Sequence, residues 1–113
     1  MHEMSLAEGV LQAMEEAARR EGFARVTAVR LEIGALASVE PDALAFCFDV
    51  VTRGSLAEGA QLEFVRTPGT GWCMPCGRAV VVDREHQACP ECGSYQVQVT
   101  GGTQMKIREL AVE

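Results

Sequence analysis

The chain has 113 residues, of which 48% are hydrophobic, and a formal net charge of −6, which predicts one small domain or one domain carrying a smaller module. The acidic charge argues against nucleic acid as the main partner. No apolar stretch is long enough to span a membrane, and Glu8, Glu15 and Glu16 argue against a signal peptide, so we expect a cytoplasmic protein.

The first predicted element is a helix from Leu6 to Glu21. Ser5 and Glu8 have the spacing of a capping box, in which each side chain bonds the backbone amide of the other residue. Apolar residues then recur at helical intervals, namely Val10, Leu11, Met14, Ala17 and Ala18. Gly22 follows a basic turn and predicts the end of this helix.

A strand is predicted next, over Val26–Ile33. Its hydrophobic residues alternate with polar ones, which places Val29, Leu31 and Ile33 on one face and leaves the other face to solvent. This pattern is typical of a strand that covers a core on one side.

A second helix is predicted from Pro41, since proline suits the first position of a helix. Its apolar stripe ends near Gly54 and consists of Leu44, Cys47, Phe48 and Val51. We interpret Cys47 as a buried core residue, because cysteine packs as a small hydrophobe. A reactive or ligating thiol is the alternative, but no nearby basic residue would lower its pKa.

Two further strands are predicted, over Gln61–Arg66 and Thr103–Val112. Between them, Thr67–Gly71 and Thr100–Gly102 have the composition of linkers around a cysteine-rich segment. We therefore predict an α+β fold, with two helices packed on a three-stranded sheet and an inserted module. The α+β domain would comprise residues 1–66 and 103–113, and the module residues 67–102.

The inserted segment contains two Cys-x-x-Cys pairs, each followed by a glycine that tolerates positive φ. Cys73 pairs with Cys76 and Cys89 with Cys92, with twelve residues between the pairs. Two such pairs can close around one tetrahedral ion. We predict a structural Zn(II) site in a four-cysteine zinc-ribbon module, because four thiolates leave no open coordination position. Two disulfides or an iron centre are the alternatives.

The chain contains two histidines, His2 and His86, and no catalytic triad or phosphate-loop motif. We therefore expect no enzymatic activity. The Met1 amine, the His2 amide nitrogen and the His2 imidazole Nδ1 can close two chelate rings that suit square-planar Ni(II) or Cu(II). Glu3, His86 or an outside ligand would fill the fourth position. The residues alone favour a solvated terminus and a surface His86 over metal binding.

Taken together, these features resemble the HypA/HybF family of hydrogenase maturation proteins, nickel metallochaperones with a separate zinc ribbon. The likeness extends over both cysteine pairs and over Met1–Ser5, Val26–Ala35 and Phe46–Gly54. It implies that Met1 and His2 hold Ni(II) as transferred cargo and that Glu3 influences nickel binding or partner contact. It also implies that Cys73, Cys76, Cys89 and Cys92 are the zinc ligands.

The resemblance further implies the partners, a HypB-type GTPase and the precursor of the NiFe-hydrogenase large subunit. Some family members also serve urease maturation. Some place histidines beside the cysteines, where this chain has Gly77, Arg78, Gly93 and Ser94. We therefore expect no histidine-coupled change of zinc coordination here. A zinc-ribbon scaffold or interaction module without nickel transfer is the alternative function.

Overall fold

The computed structural model describes residues 2–113, so the predicted role of Met1 lies outside the described residues. Within them the chain forms two helices and six strands: α1 (Glu3–Glu21), β1 (Val26–Gly34), α2 (Pro41–Val51), β2 (Gln61–Thr67), β3 (Gly69–Cys73), β4 (Arg78–Val82), β5 (Val97–Gly101) and β6 (Met105–Val112). One three-stranded sheet has the order β2-β1-β6 and the other has the order β4-β3-β5. The predicted α+β class is confirmed.

Helix α1 begins at Glu3 rather than at the predicted Leu6. The predicted capping box is wrong, because His2 is the N-cap and Ser5 lies exposed inside the first turn. Gly22 ends the helix as predicted, with a left-handed φ of 82°. The buried apolar face of α1 consists of Ala7, Val10, Met14 and Ala17. Among residues 2–113, no helix has the length and apolarity needed to cross a membrane.

By its internal contacts the described chain divides into two compact units. The first unit runs to Leu31 and also contains Val39–Phe64 and Ile107–Glu113. In this unit α1 packs against α2, whose buried residues are Leu44, Cys47 and Phe48. Cys47 is only 6% exposed, which confirms it as a core residue. The burial of Val29 and Leu31 confirms the predicted inner face of β1.

The second unit contains Glu32–Ser38 and Val65–Lys106. Its central strand, β3, pairs antiparallel with both β4 and β5. The linker predicted at Thr67–Gly71 is wrong, because most of it lies in β3 and Gly71 is buried there. A Cβ atom at Gly71 would lie 2.6 Å from Cγ1 of Val97. This glycine therefore permits close packing of strands. The predicted domain boundaries stay a prediction.

Candidate metal centres

The four cysteines of the two Cys-x-x-Cys pairs converge in the second unit. Their Sγ atoms all lie within 4.8 Å of one another, with 3.6 Å between Cys73 and Cys92 and 4.0 Å between Cys76 and Cys89. Disulfide-bonded sulfurs would be about 2.05 Å apart, so these cysteines are free thiols. Four bonds of about 2.3 Å to a tetrahedral ion would place the sulfurs about 3.8 Å apart. The cluster therefore fits one tetrahedral metal ion.

Backbone hydrogen bonds shape each cysteine pair into a turn. The Gly77 amide donates to the Cys73 carbonyl at 2.8 Å, and the Gly93 amide donates to the Cys89 carbonyl at 2.9 Å. The two glycines have φ values of 67° and 78°, a left-handed conformation that glycine adopts without a Cβ penalty. The predicted role of the glycine after each pair is thus confirmed.

The cysteines also supply much of the core of the second unit. Cys73 and Cys89 are buried together with Leu36, Val80 and Val82. Three aliphatic side chains make a small core, so a metal ion held by the sulfurs would contribute a large share of the cohesion of this unit.

The protein environment of the individual sulfurs differs. Hydrogen bonding to the sulfurs of Cys92 and Cys73, together with desolvation, raises the pKa of Cys76 to about 12. The backbone amide of Cys92 lowers the pKa of Cys89, and the amide of Glu91 donates to the same Cys89 sulfur at 3.4 Å. A divalent cation favours the thiolate form of every ligand, because it offsets the repulsion between neighbouring sulfurs. The donor set is therefore suited to binding a cation.

The predicted nickel ligand His2 lies in the first unit, directly before α1. Its side chain is 54% exposed, and its Nε2 lies 3.8 Å from Oε2 of Glu3. A carboxylate beside one ring nitrogen is a common arrangement around metal-binding histidines, because it orients the ring. At 3.8 Å the two groups are close but lie beyond hydrogen-bond distance, so this contact does not determine which ring nitrogen binds a metal ion.

Glu3 is buried, with 6% of its surface exposed, although carboxylates are rarely buried without a partner. Its Oε2 accepts a hydrogen bond from the backbone amide of Glu40 at 3.3 Å. That hydrogen bond is the main cause of a lowered pKa for Glu3, and the nearby His2 contributes. Glu3 therefore ties the start of α1 to the residue that precedes α2. Sequence reasoning missed this role of Glu40, because local spacing does not reveal a contact between residues 37 positions apart.

His86 is exposed and lies in the second unit, with a positive φ of 62°. Among residues 2–113, the four cysteines form the one group of three or more His, Cys, Asp or Glu side chains that could hold a metal ion. The structure thus brings the four cysteines together and places His2 beside Glu3, and it does not add His86 to the sulfur cluster.

Comparison with known proteins identifies similar chains. A family model described as "Hydrogenase/urease nickel incorporation, metallochaperone, hypA" matches residues 1–112. The hydrogenase maturation factor HypA of Albidiferax ferrireducens is 60% identical over 113 residues, covering 100% of both chains. That of Dechloromonas aromatica is 58% identical with the same coverage. The solution structure of the Ni metallochaperone HypA from Helicobacter pylori has the same fold, with a TM-score of 0.73 at 23% identity, covering 99% of this chain and 97% of that one.

Proposed function

Because the chain belongs to the HypA family of hydrogenase/urease nickel-incorporation metallochaperones, we propose that it binds Ni(II) at its amino terminus and delivers it to the NiFe-hydrogenase large-subunit precursor. A HypB-type GTPase acts with it in this delivery, and urease maturation proteins are a second class of recipient. The protein works in the cytoplasm as a carrier and catalyses no reaction of its own.

The observation that best supports a nickel site is the arrangement of His2 and Glu3. The imidazole is accessible, while the adjacent carboxylate is buried and anchored by a backbone amide. A fixed negative charge close to the imidazole favours a bound cation there. Ni(II) would be held by the Met1 amine, the His2 amide nitrogen and the His2 Nδ1, which are coplanar donors once the amide has released its proton to solvent.

Transfer proceeds by ligand exchange. Three donors from the terminus leave the fourth position of a square-planar ion for a weaker ligand, which a donor from the recipient protein replaces. Protons compete with nickel for the amine and the imidazole, so nickel affinity falls as the pH drops.

The four-cysteine cluster holds Zn(II) as a structural ion. Its sulfur separations of 3.6 and 4.0 Å suit the tetrahedral coordination that zinc prefers with thiolates. Bound zinc supplies cohesion rather than reactivity, because four protein ligands leave no position for a substrate. The zinc-bearing unit acts as a rigid element that docks or orients the partner.

The two histidines of the chain provide a matched test of the nickel site. We expect His2→Ala to abolish nickel binding and His86→Ala to retain it, with zinc content and fold unchanged in both. Calorimetry measures the nickel stoichiometry, and the visible absorption of square-planar Ni(II) reports its geometry. Wild-type nickel stoichiometry in His2→Ala would refute the proposal.

The free α-amine is tested separately by extending the chain with a short Gly-Ser segment before Met1. The extension converts the amine into an amide, so it removes one donor without changing any side chain. We expect lost nickel uptake and normal zinc content. If nickel uptake were unaffected, the α-amine would not be a nickel donor and the proposed site would be wrong.

A further inference from the structure

A groove in the first unit runs along one stripe of α1. It has a volume of about 510 Å³ and is lined by Glu8, Leu11, Gln12 and Glu15 of α1 and by Val51 of α2. The four α1 residues are spaced i, i+3, i+4 and i+7, so they lie on one face of the helix. Leu11 and Val51 are half-buried and give the groove an apolar part between two acidic ends.

The carboxylates at the two ends of the stripe have no cation of their own. Within residues 2–113, neither Glu8 nor Glu15 takes part in an ion pair or a side-chain hydrogen bond. Many other carboxylates do pair with an arginine or lysine, namely Glu21, Glu32, Asp49, Glu63, Glu91 and Glu109. Glu15 is also half-buried, where an unpaired carboxylate has lost part of its hydration. The groove therefore offers its negative charge to an outside cation.

We infer that this groove docks an amphipathic helix of a partner protein that presents an aliphatic side chain between two Lys or Arg residues two turns apart. Glu8 and Glu15 are separated by seven residues, or about 10.5 Å along the helix axis at about 1.5 Å per residue. Two cations at the same spacing on the partner helix would match them. Aliphatic residues midway between those cations would contact Leu11 and Val51, as in other complexes of a helix in a groove.

The charge of the whole chain supports a cationic occupant. A net charge of −6 attracts a basic segment over a distance of about 8–10 Å at physiological salt, and complementary charges then fix its position. A second copy of this chain would bring further negative charge to the groove, so it is disfavoured as the occupant.

A designed peptide provides the probe. It is an alanine-based helical peptide with two lysines seven positions apart and two leucines midway between them. Its control carries glutamine in place of both lysines. We expect the lysine peptide to shift the methyl resonances of Leu11 and Val51 in a saturable titration, and the glutamine peptide to bind at least fivefold more weakly.

The chain itself offers a matched pair of variants. Glu15→Gln and Glu16→Gln change the net charge equally, but only Glu15 lines the groove. We expect Glu15→Gln to weaken peptide binding about fivefold, or about 1 kcal/mol, which is the upper range for an exposed ion pair. We expect Glu16→Gln to weaken it less than twofold. Circular dichroism of both variants checks that α1 is intact.

Three results of the peptide titrations would overturn the inference. They are unshifted Leu11 and Val51 methyls with the lysine peptide, equal binding of the two peptides, and equal effects of the two variants. Concentration-dependent shifts of the same methyls without peptide would also overturn it, because a second copy would then occupy the groove. The groove contains neither His2 nor a cysteine. The titration therefore reports on docking whether or not the chain carries nickel.

Discussion

Replacing Cys89 by serine should release the zinc ion that we propose for the second unit. Cys89 is buried, and its sulfur lies 4.0 Å from that of Cys76. A serine hydroxyl is shorter and stays neutral, so it can neither reach the ion equally well nor supply a thiolate charge. Removing groups that only orient a ligand lowers metal affinity about 10- to 100-fold. We therefore expect the loss of a ligand itself to lower zinc affinity by more than about 100-fold.

Cys47 provides the matched control, because it is buried in the first unit and takes no part in the sulfur cluster. Cys47→Ser should keep full zinc content and destabilise the first unit by about 1–3 kcal/mol, since it buries a hydroxyl in an apolar core. Elemental analysis after dialysis measures zinc in both variants. The reasoning is refuted if Cys89→Ser retains one zinc per chain, or if Cys47→Ser loses it.

Hydrogen exchange shows which part of the chain is destabilised when zinc is lost. The amides of Val80 and Val82 lie in β4, and their side chains pack in the same core as Cys73 and Cys89. We expect these amides to lose protection in Cys89→Ser, because the remaining aliphatic core is small. Amides of α1, such as that of Met14, should keep their protection. Uniform loss of protection throughout the chain would contradict this account of the second unit.

Three further substitutions test the packing and electrostatics of the two units. The folded pKa of Glu3 is lower than its ordinary value of 4.5, so its ionised form stabilises the fold above pH 4.5, and this contribution is lost as the pH falls through the lowered value. In nickel-free protein, Glu3→Gln should make the free energy of unfolding in urea less dependent on pH in this acidic range, and parallel pH curves for the two proteins would contradict this. Gly71→Ala should destabilise the second unit by about 1–3 kcal/mol in urea unfolding, because the new Cβ lies 2.6 Å from Cγ1 of Val97. Unchanged stability would mean that β3 and β5 can move apart at no cost in free energy. Gly9→Ala, where a Cβ meets nothing within 4 Å, should instead stabilise α1 by up to about 1 kcal/mol, and a loss of stability there would show that the exposed face of the helix is constrained.

Local patterns predicted the elements of the first unit well. The alternation around Val29 and Leu31 predicts a strand with one buried face, and Pro41 predicts the start of α2; both predictions are confirmed. These signals are strong because they depend on neighbours within a few residues. The burial of Cys47 was predictable too, because Cys47 belongs to the apolar stripe at helical spacing that predicts α2. Its place in the first unit distinguishes it from the four clustered thiols, which lie in the second unit.

Contacts between distant residues could not be predicted in this way. The Ser5–Glu8 spacing is a valid local signal for a helix start, yet α1 begins earlier and Glu3 bonds the amide of Glu40. Similarly, glycine composition does not distinguish a flexible linker from a strand that another strand approaches closely, as at Gly71. The sulfur cluster was predictable, because the spacing within each cysteine pair itself determines how the sulfurs point.

The most direct test of the proposed function is a count of metal ions on protein that starts with a free Met1 amine. After saturation with zinc and nickel and removal of excess metal, we expect one zinc and one nickel per chain. Zinc should be lost selectively in Cys89→Ser and nickel selectively in His2→Ala. A single metal equivalent, held entirely by the thiolates and unaffected by His2→Ala, would contradict the proposal of an amino-terminal nickel carrier.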